Sequence, residues 1–147
     1  MTSQYDDLFS EQSSETDENA RRRQAEDAMV AERKAVWQQV GGELAVALQP
    51  IADSANAHGH QATIVRDERG RVVFEMRLKD HPDEIVHCTF FCSYPPNSDA
   101  LLYIDFDGPG RWDDVLDPVR QKLSSFTVES GCGHVTELIR RASKLLP

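Results

Sequence analysis

Apolar residues recur at spacings of three, four or seven positions through residues 20–55, which predicts a long helix. The stripe consists of Ala25, Met29, Val36, Val40, Leu44, Leu48 and Ile51. Gly41 and Gly42 interrupt it, and each glycine costs about 1 kcal/mol relative to alanine in a helix, so a kink or break is expected there. Before the glycines the stripe is thin and Ala-rich, so residues 20–40 are expected to project from the body of the protein.

Alternating apolar and polar residues then predict four strands joined as an antiparallel meander. The predicted strands span residues 61–66, 71–79, 85–94 and 100–106. A hairpin turn at residues 67–70 joins the first two, and its length sets their register. A three-residue loop places Ile64 on the buried face, whereas a four-residue loop places Val65 there. The sequence leaves both registers open.

Helical spacing returns near the C-terminus and predicts two further helices. The first carries Trp112, Val115, Leu116, Val119, Leu123 and Phe126, and the second carries Val135, Leu138, Ile139, Ala142, Leu145 and Leu146. A loop at residues 130–133, which contains two glycines, is expected between them. The order of elements predicts an α+β fold in which a four-stranded antiparallel sheet carries its helices on one face.

Most of the acidic charge lies at the N-terminus. The 147-residue chain has a net charge of −9, and residues 1–19 carry −6 of it with no Lys or Arg, which leaves −3 on residues 20–147. The first 19 residues also lack helical periodicity, so they are predicted to form a disordered acidic tail ahead of a single domain at 20–147. An acidic chain repels phosphate, which disfavours direct nucleic-acid binding and favours a protein partner with a basic surface.

Several other classes of protein are disfavoured. No run approaches the roughly 18 apolar residues of a membrane span, and no signal peptide is evident, so no membrane partner is expected. Three cysteines leave one unpaired under any disulfide scheme, which favours a reducing cytoplasm. No cofactor motif is present, so no cofactor is expected, and His58 and His60 are interpreted as solvent-facing loop residues.

Cysteine and histidine residues suggest a zinc site and a catalytic pair, and geometry argues against the zinc site. Cys88 and Cys92 on one strand would lie roughly 13 Å apart. Two sulfurs on one zinc ion lie no more than about 4.6 Å apart, so both cysteines are interpreted as buried packing residues. Cys132 and His134 place a thiol and a base near the start of a predicted helix, which makes them the candidate catalytic pair of a small enzyme.

Acidic residues suggest two further chemistries. Asp105 and Asp107 share one face at the end of a strand and could hold a divalent cation, although Asp107 also belongs to a turn signal. Asp67 followed by Glu75-Met76-Arg77 resembles the restriction-endonuclease-like nucleases, which use an Asp followed by Glu-x-Lys on adjacent strands. The match is short, and Arg77 stands where that pattern has Lys.

The polar face of the predicted sheet is a candidate contact surface. Phe91 and Tyr103 would project from it among charged residues such as Glu75 and Arg77. Aromatic side chains in a polar surrounding are typical of protein contact surfaces. We therefore expect these four residues to contact a partner, unless the N-terminal helix covers them.

The predicted tail contains a second candidate contact segment. Tyr5, Leu8 and Phe9 stand among acids, which is typical of a short linear motif that folds into a groove on its partner. The end of this segment, Asp7-Leu8-Phe9, is similar to the motif by which bacterial proteins dock on the replication sliding clamp. Tyr5 stands where that motif has Gln, and Asp6 where it has Leu.

The leading hypothesis is a non-catalytic protein-interaction module, such as an inhibitor, immunity, chaperone or accessory protein. The alternative is a small enzyme that uses the thiol–imidazole pair or the carboxylate pair described above. A homodimer through the helical stripe of Met29, Val36 and Val40 is a further expectation, because the sheet is too small to cover the whole stripe.

Overall fold

The computed structural model describes residues 6–96, 98–108 and 116–145, with backbone alone for residues 6–13 and 145. The elements are α1 (Asp6–Ala57), β1 (Gln61–Arg66), β2 (Val72–Leu78), β3 (His81–Ser93), β4 (Leu101–Asp107), β5 (Val119–Lys122), a 3₁₀ turn (Leu123–Ser125) and α2 (Val128–Leu145). All neighbouring strands are antiparallel in the order β1-β2-β3-β4-β5. The predicted α+β class and meander are confirmed.

One face of the sheet forms the core with both α-helices. Alternate residues of β2, β3 and β4 point into it, as the period of two requires. The largest fully buried side chains include Phe74, Phe90, Met76, Leu102 and Ile104 from the sheet, Trp37, Leu44 and Leu48 from α1, and Val135 from α2. Because α1 and α2 pack on the same face, neither covers the opposite one, which is called the open face below.

The expected break at Gly41 and Gly42 is wrong, because α1 continues through both. A Cβ atom on Gly41 would lie 3.3 Å from Cγ2 of Val72 and 3.5 Å from the ring of Trp37. The missing side chain therefore lets α1 approach β2 closely. Packing against the sheet offsets the low helix propensity of glycine, which costs about 1 kcal/mol per residue.

The sequence leaves open a loop of three or four residues in the first hairpin, and the structure has the three-residue loop. The backbone N–H of Asp67 donates to the carbonyl oxygen of Arg71 at 3.2 Å, and the N–H of Gly70 donates to that of Asp67 at 3.0 Å. Gly70 adopts a φ of +81°, which a glycine takes without strain. The resulting register turns Ile64 toward the core and leaves Val65 on the open face, 45% exposed.

The sheet has five strands rather than four, because residues 119–122 form β5 instead of the predicted helix. Val119 lies opposite Ile104 and Arg120 opposite Tyr103, so the segment pairs with an otherwise free edge of β4. Backbone hydrogen bonding along that edge outweighs the helical spacing, which a short apolar run cannot distinguish from a strand. Trp112 and Val115 of the predicted helix lie outside the described residues.

The predicted loop at residues 130–133 is also wrong, because these residues belong to the first turns of α2. Thr127 caps the helix: the N–H of Ser130 donates to its Oγ1 at 3.1 Å, and its own N–H donates to Oγ of Ser130 at 3.4 Å. Gly131 packs α2 on α1, since a Cβ there would lie 2.7 Å from Cδ1 of Leu44. Within the described residues, one α-helix rather than two therefore follows the sheet.

The N-terminal half of α1 extends beyond the sheet. Its backbone is helical from Asp6, so the helix includes most of the segment for which the sequence predicts disorder. Every side chain described in residues 14–25 is exposed, and Trp37 is the first buried side chain along the helix. The division into tail and domain at residue 19 stays a prediction.

Candidate functional site

A row of stacked side chains crosses the open face over three neighbouring strands. Phe91 of β3 lies opposite Tyr103 of β4, which lies opposite Arg120 of β5. The two aromatic rings are stacked with their centroids 5.1 Å apart and their planes 11° apart. The guanidinium carbon of Arg120 lies 5.7 Å from the centroid of the Tyr103 ring. We call these three residues the aromatic row; stacking and cation–π contacts hold it in place.

Two more of the predicted contact residues share the open face with this row. Glu75 lies opposite His87, with 3.8 Å between Oε2 and Nε2. Arg77 follows on the same side of β2, and its guanidinium donates a hydrogen bond to the carbonyl oxygen of Pro82. The fold thus places Glu75, Arg77, Phe91 and Tyr103 on one surface, as the alternation of the sequence predicts.

A shallow depression of about 530 Å³ adjoins the aromatic row and brings in Arg71, a residue that the sequence reasoning missed. Arg71 and Thr89 line it together with Phe91, Asp105 and Asp107. The alternation that assigns Glu75 to this face would also have found Arg71. Arg120 could not be found in this way, because its segment had helical spacing.

The carboxylates of Asp105 and Asp107 are exposed and lie two residues apart on β4, roughly 6.6 Å along the strand. Oδ1 of Asp107 accepts the N–H of Gly108 at 2.9 Å, as expected of a turn residue. Across the described ranges, no group of three or more His, Cys, Asp or Glu residues is placed to hold a metal ion. The pair supplies at most four carboxylate oxygens, so water or substrate oxygens would have to complete the shell of about six to eight that a divalent cation takes.

Cys132 and His134 both lie in α2, where residues two apart point in different directions. Cys132 is half-buried against the core, whereas the His134 ring packs 6.1 Å from that of Phe106. Burial and the nearby Glu129 carboxylate raise the pKa of the Cys132 thiol. A nucleophilic cysteine is favoured by the opposite shift, a lowered pKa.

The other two cysteines lie on the core face of β3. Cys88 is fully buried and Cys92 is half-buried, and neither forms a disulfide. Burial raises the pKa of Cys92 to about 12, which leaves almost no thiolate at neutral pH. Both residues therefore behave as small apolar side chains in the packing of the sheet.

The nuclease-like residues are not brought together. Asp67 lies in the hairpin loop, where its carboxylate accepts hydrogen bonds from the N–H groups of Arg69 and Arg71 and from the Arg71 side chain. Glu75 lies four residues beyond Arg71, roughly 13 Å along the strand. The carboxylate of Asp67 thus organises the loop and is far from that of Glu75.

The N-terminal candidates are only partly described. Tyr5 lies outside the described residues, and Leu8 and Phe9 are described as backbone of α1 alone. Further along α1, Met29 is 42% exposed and Val36 is 49% exposed. Val40 packs partly against the core and also lines a surface groove together with Val36.

No helix in the described ranges is long and apolar enough to cross a membrane. Comparison of the chain with models of protein families, with curated proteins and with solved structures finds no match.

Proposed function

We propose that this protein is a non-catalytic interaction module that binds another protein through the open face of its sheet. The aromatic row carries the proposal, because Phe91 and Tyr103 are large side chains on a face that neither α-helix covers. Aromatic residues and arginine are enriched where proteins contact each other and contribute much of the binding energy. An inhibitor, immunity, chaperone or accessory protein would use such a surface.

The charges beside the row favour a partner with a basic surface. The guanidinium groups on this face already have partners within the chain: Arg71 pairs with Asp67, Arg77 donates to the carbonyl oxygen of Pro82, and Arg120 lies over the Tyr103 ring. Asp105 and Asp107, by contrast, are exposed carboxylates at the edge of the depression. Cations on a partner would meet these carboxylates, and such complementarity speeds association and selects the partner.

The alternative, a small enzyme, gains no support from the geometry of its candidate residues. Cys132 and His134 lie two residues apart on one helix, so they lack the mutual contact that a nucleophile and its base require. The raised pKa of the Cys132 thiol disfavours the reactive thiolate as well.

Three free cysteines agree with a reducing compartment such as the cytoplasm.

Site-specific photo-crosslinking tests the proposal in the cells that make this protein. A photoreactive phenylalanine at Thr89, on the open face between the aromatic row and the carboxylates, should yield a discrete adduct with another protein. The matched control carries the same group at Ser143, which is exposed on α2 on the other side of the sheet. The double variant Phe91→Ser/Tyr103→Ser, with its fold checked by circular dichroism, should lose the adduct at position 89.

The outcome that contradicts the proposal is equally specific. The proposal is wrong if position 89 yields no adduct, or if positions 89 and 143 yield adducts equally. Either result would show that no protein binds preferentially at the open face. An adduct that survives the double variant would show that the aromatic row does not contribute to binding.

A further inference from the structure

A second concave surface lies on the helical side of the molecule, between the last turns of α1 and the middle of α2. Its volume is about 540 Å³. Ligand-binding pockets commonly have volumes of roughly 300–1,000 Å³. The apolar part of its lining consists of Pro50, Ile51, Ala55, Met76 and Ile139. Two histidines, His58 and His60, also line it.

The hydrogen bond made by His58 determines which of its ring nitrogens carries the proton. Nδ1 lies 2.8 Å from the carbonyl oxygen of Ser54. A carbonyl oxygen can only accept, so Nδ1 carries the hydrogen and donates it. In a neutral imidazole the other nitrogen, Nε2, is then left with a free lone pair. His58 therefore offers the groove an acceptor.

His60 has the opposite arrangement. Its Nδ1 accepts the backbone N–H of Lys79 at 3.0 Å, so this nitrogen carries no hydrogen. In the neutral ring the hydrogen must then be on Nε2, which becomes a donor. The two imidazoles of one groove thus present complementary groups, an acceptor on His58 and a donor on His60.

The turn that carries both histidines is held rigidly by the rest of the chain. Gly59 between them adopts a φ of +94°, a conformation that glycine takes without strain and other residues rarely adopt. The side chain of Asn56 bridges to the next strand, since its Nδ2 donates to the carbonyl of Ala62 at 3.0 Å and its Oδ1 accepts the Ala62 N–H at 2.7 Å. A site ordered in advance loses less entropy when a ligand binds.

We propose that this groove binds an amphipathic small molecule with a linear apolar body and a primary carboxamide head, a neutral group that both donates and accepts. The carbonyl oxygen of the amide accepts from Nε2 of His60, and its NH₂ donates to Nε2 of His58. A carboxylate has no hydrogen to donate to His58, and an ammonium group cannot accept from His60. The volume of about 540 Å³ accommodates a ten-carbon chain. This inference does not depend on the function proposed for the open face.

Methyl and amide NMR titrations with decanamide, decanoate and decylamine at pH 8.5, where free imidazole is neutral, test the proposal. Decanamide should cause saturable shifts centred on Ile51, Met76 and Ile139, with an affinity at least fivefold higher than that of the other two probes. Long-range ¹⁵N spectra should show the Nδ1-protonated tautomer for His58 and the Nε2-protonated tautomer for His60.

Two variants that block the groove and one control complete the design. Ile139→Trp fills the groove and should abolish the shifts, and the exposed Thr136→Arg serves the same purpose if the tryptophan variant does not fold. Val46→Trp makes a comparable enlargement at a site that is 76% exposed and does not line the groove, so binding should be retained. His58→Leu should lower the affinity for decanamide about fivefold by removing one hydrogen bond.

Four results would overturn the inference. The first is the absence of saturable shifts with any probe up to about 1 mM. The second is decanamide binding that persists in both blocking variants. The third is a preference for decanoate or decylamine over decanamide. The fourth is a tautomer assignment opposite to the one derived above.

Discussion

Two glycines in the first turns of α2 provide a sharp test of the packing between the helices. A Cβ added to Gly131 would lie 2.7 Å from Cδ1 of Leu44 and 2.8 Å from Cζ of Phe126, both of which are buried. A Cβ added to Gly133 would meet no atom within 4 Å. The substitutions Gly131→Ala and Gly133→Ala therefore make the same chemical change in the same helix, one against the core and one toward solvent.

The magnitudes follow from two effects of opposite sign. Alanine in place of glycine stabilises a helix interior by about 0.8–1.0 kcal/mol, so Gly133→Ala should raise the free energy of unfolding by about 1 kcal/mol. Gly131→Ala has the same gain in helix propensity, but overpacking against Leu44 and Phe126 typically costs about 1–3 kcal/mol. The two variants should therefore differ by about 1–3 kcal/mol, which corresponds to roughly 3–10 °C in melting temperature for a chain of this size.

Urea unfolding monitored by far-UV circular dichroism and tryptophan fluorescence measures the difference, with the m-value checked for constancy. If residues 130–133 formed the loop that the sequence predicts, both glycines would be free to adopt positive φ and both substitutions would destabilise. Equal stabilisation by the two alanines would instead show that α2 does not approach α1 at Gly131. Either result would refute the packing described above.

Four further predictions concern charge, reactivity and assembly. Burial alone would raise the pKa of Asp67, but its hydrogen bonds with arginine and backbone N–H groups hold that pKa below 3.8. The ionised carboxylate therefore stabilises the fold above about pH 4, and this contribution is lost as the pH falls below 3.8. The Asp67→Asn variant should therefore show a weaker pH dependence of the urea midpoint in that range. Since burial and a neighbouring glutamate raise the pKa of Cys132, iodoacetamide should alkylate it more slowly than a free thiol at pH 7. Fast alkylation at pH 6 would instead support the hypothesis that Cys132 is a catalytic nucleophile. Deleting residues 1–19 should change the free energy of unfolding by less than about 0.5 kcal/mol, because the side chains described there are all exposed; a larger loss would show that this segment contributes to the fold. Sedimentation velocity at micromolar concentration should detect a dimer that the Val36→Glu substitution dissociates. A monomeric wild-type protein would contradict the predicted homodimer.

Much of the sheet was predictable because local alternation is enough to define it. In β2, β3 and β4 the residues that face the core are apolar and their neighbours are mostly polar, so the buried and open faces follow from the sequence without knowledge of the topology. The same alternation places Phe91 and Tyr103 on one surface. Residues 67–71 restricted the first hairpin to two registers, but the hydrogen bond between Asp67 and Arg71 was needed to choose between them.

The errors share one cause, which is that glycines and short apolar runs have different meanings in different tertiary surroundings. Gly41 and Gly131 indicate breaks when only the sequence is considered, yet each marks a place where α1 packs closely on a neighbouring element. The segment that holds Arg120 has the spacing of a helix, but the free edge of β4 makes it a strand.

The amino-acid sequence by itself determined the α+β class, the meander and the two faces of its sheet, because these depend on periodicities within single elements. Only the tertiary structure decided how close the helices lie, where the sheet ends and which polar groups meet. Arg120 reaches Tyr103 through strand pairing, and the two histidines of the groove acquire opposite roles from Ser54 and Lys79. Such contacts join residues through backbone geometry that no local pattern encodes.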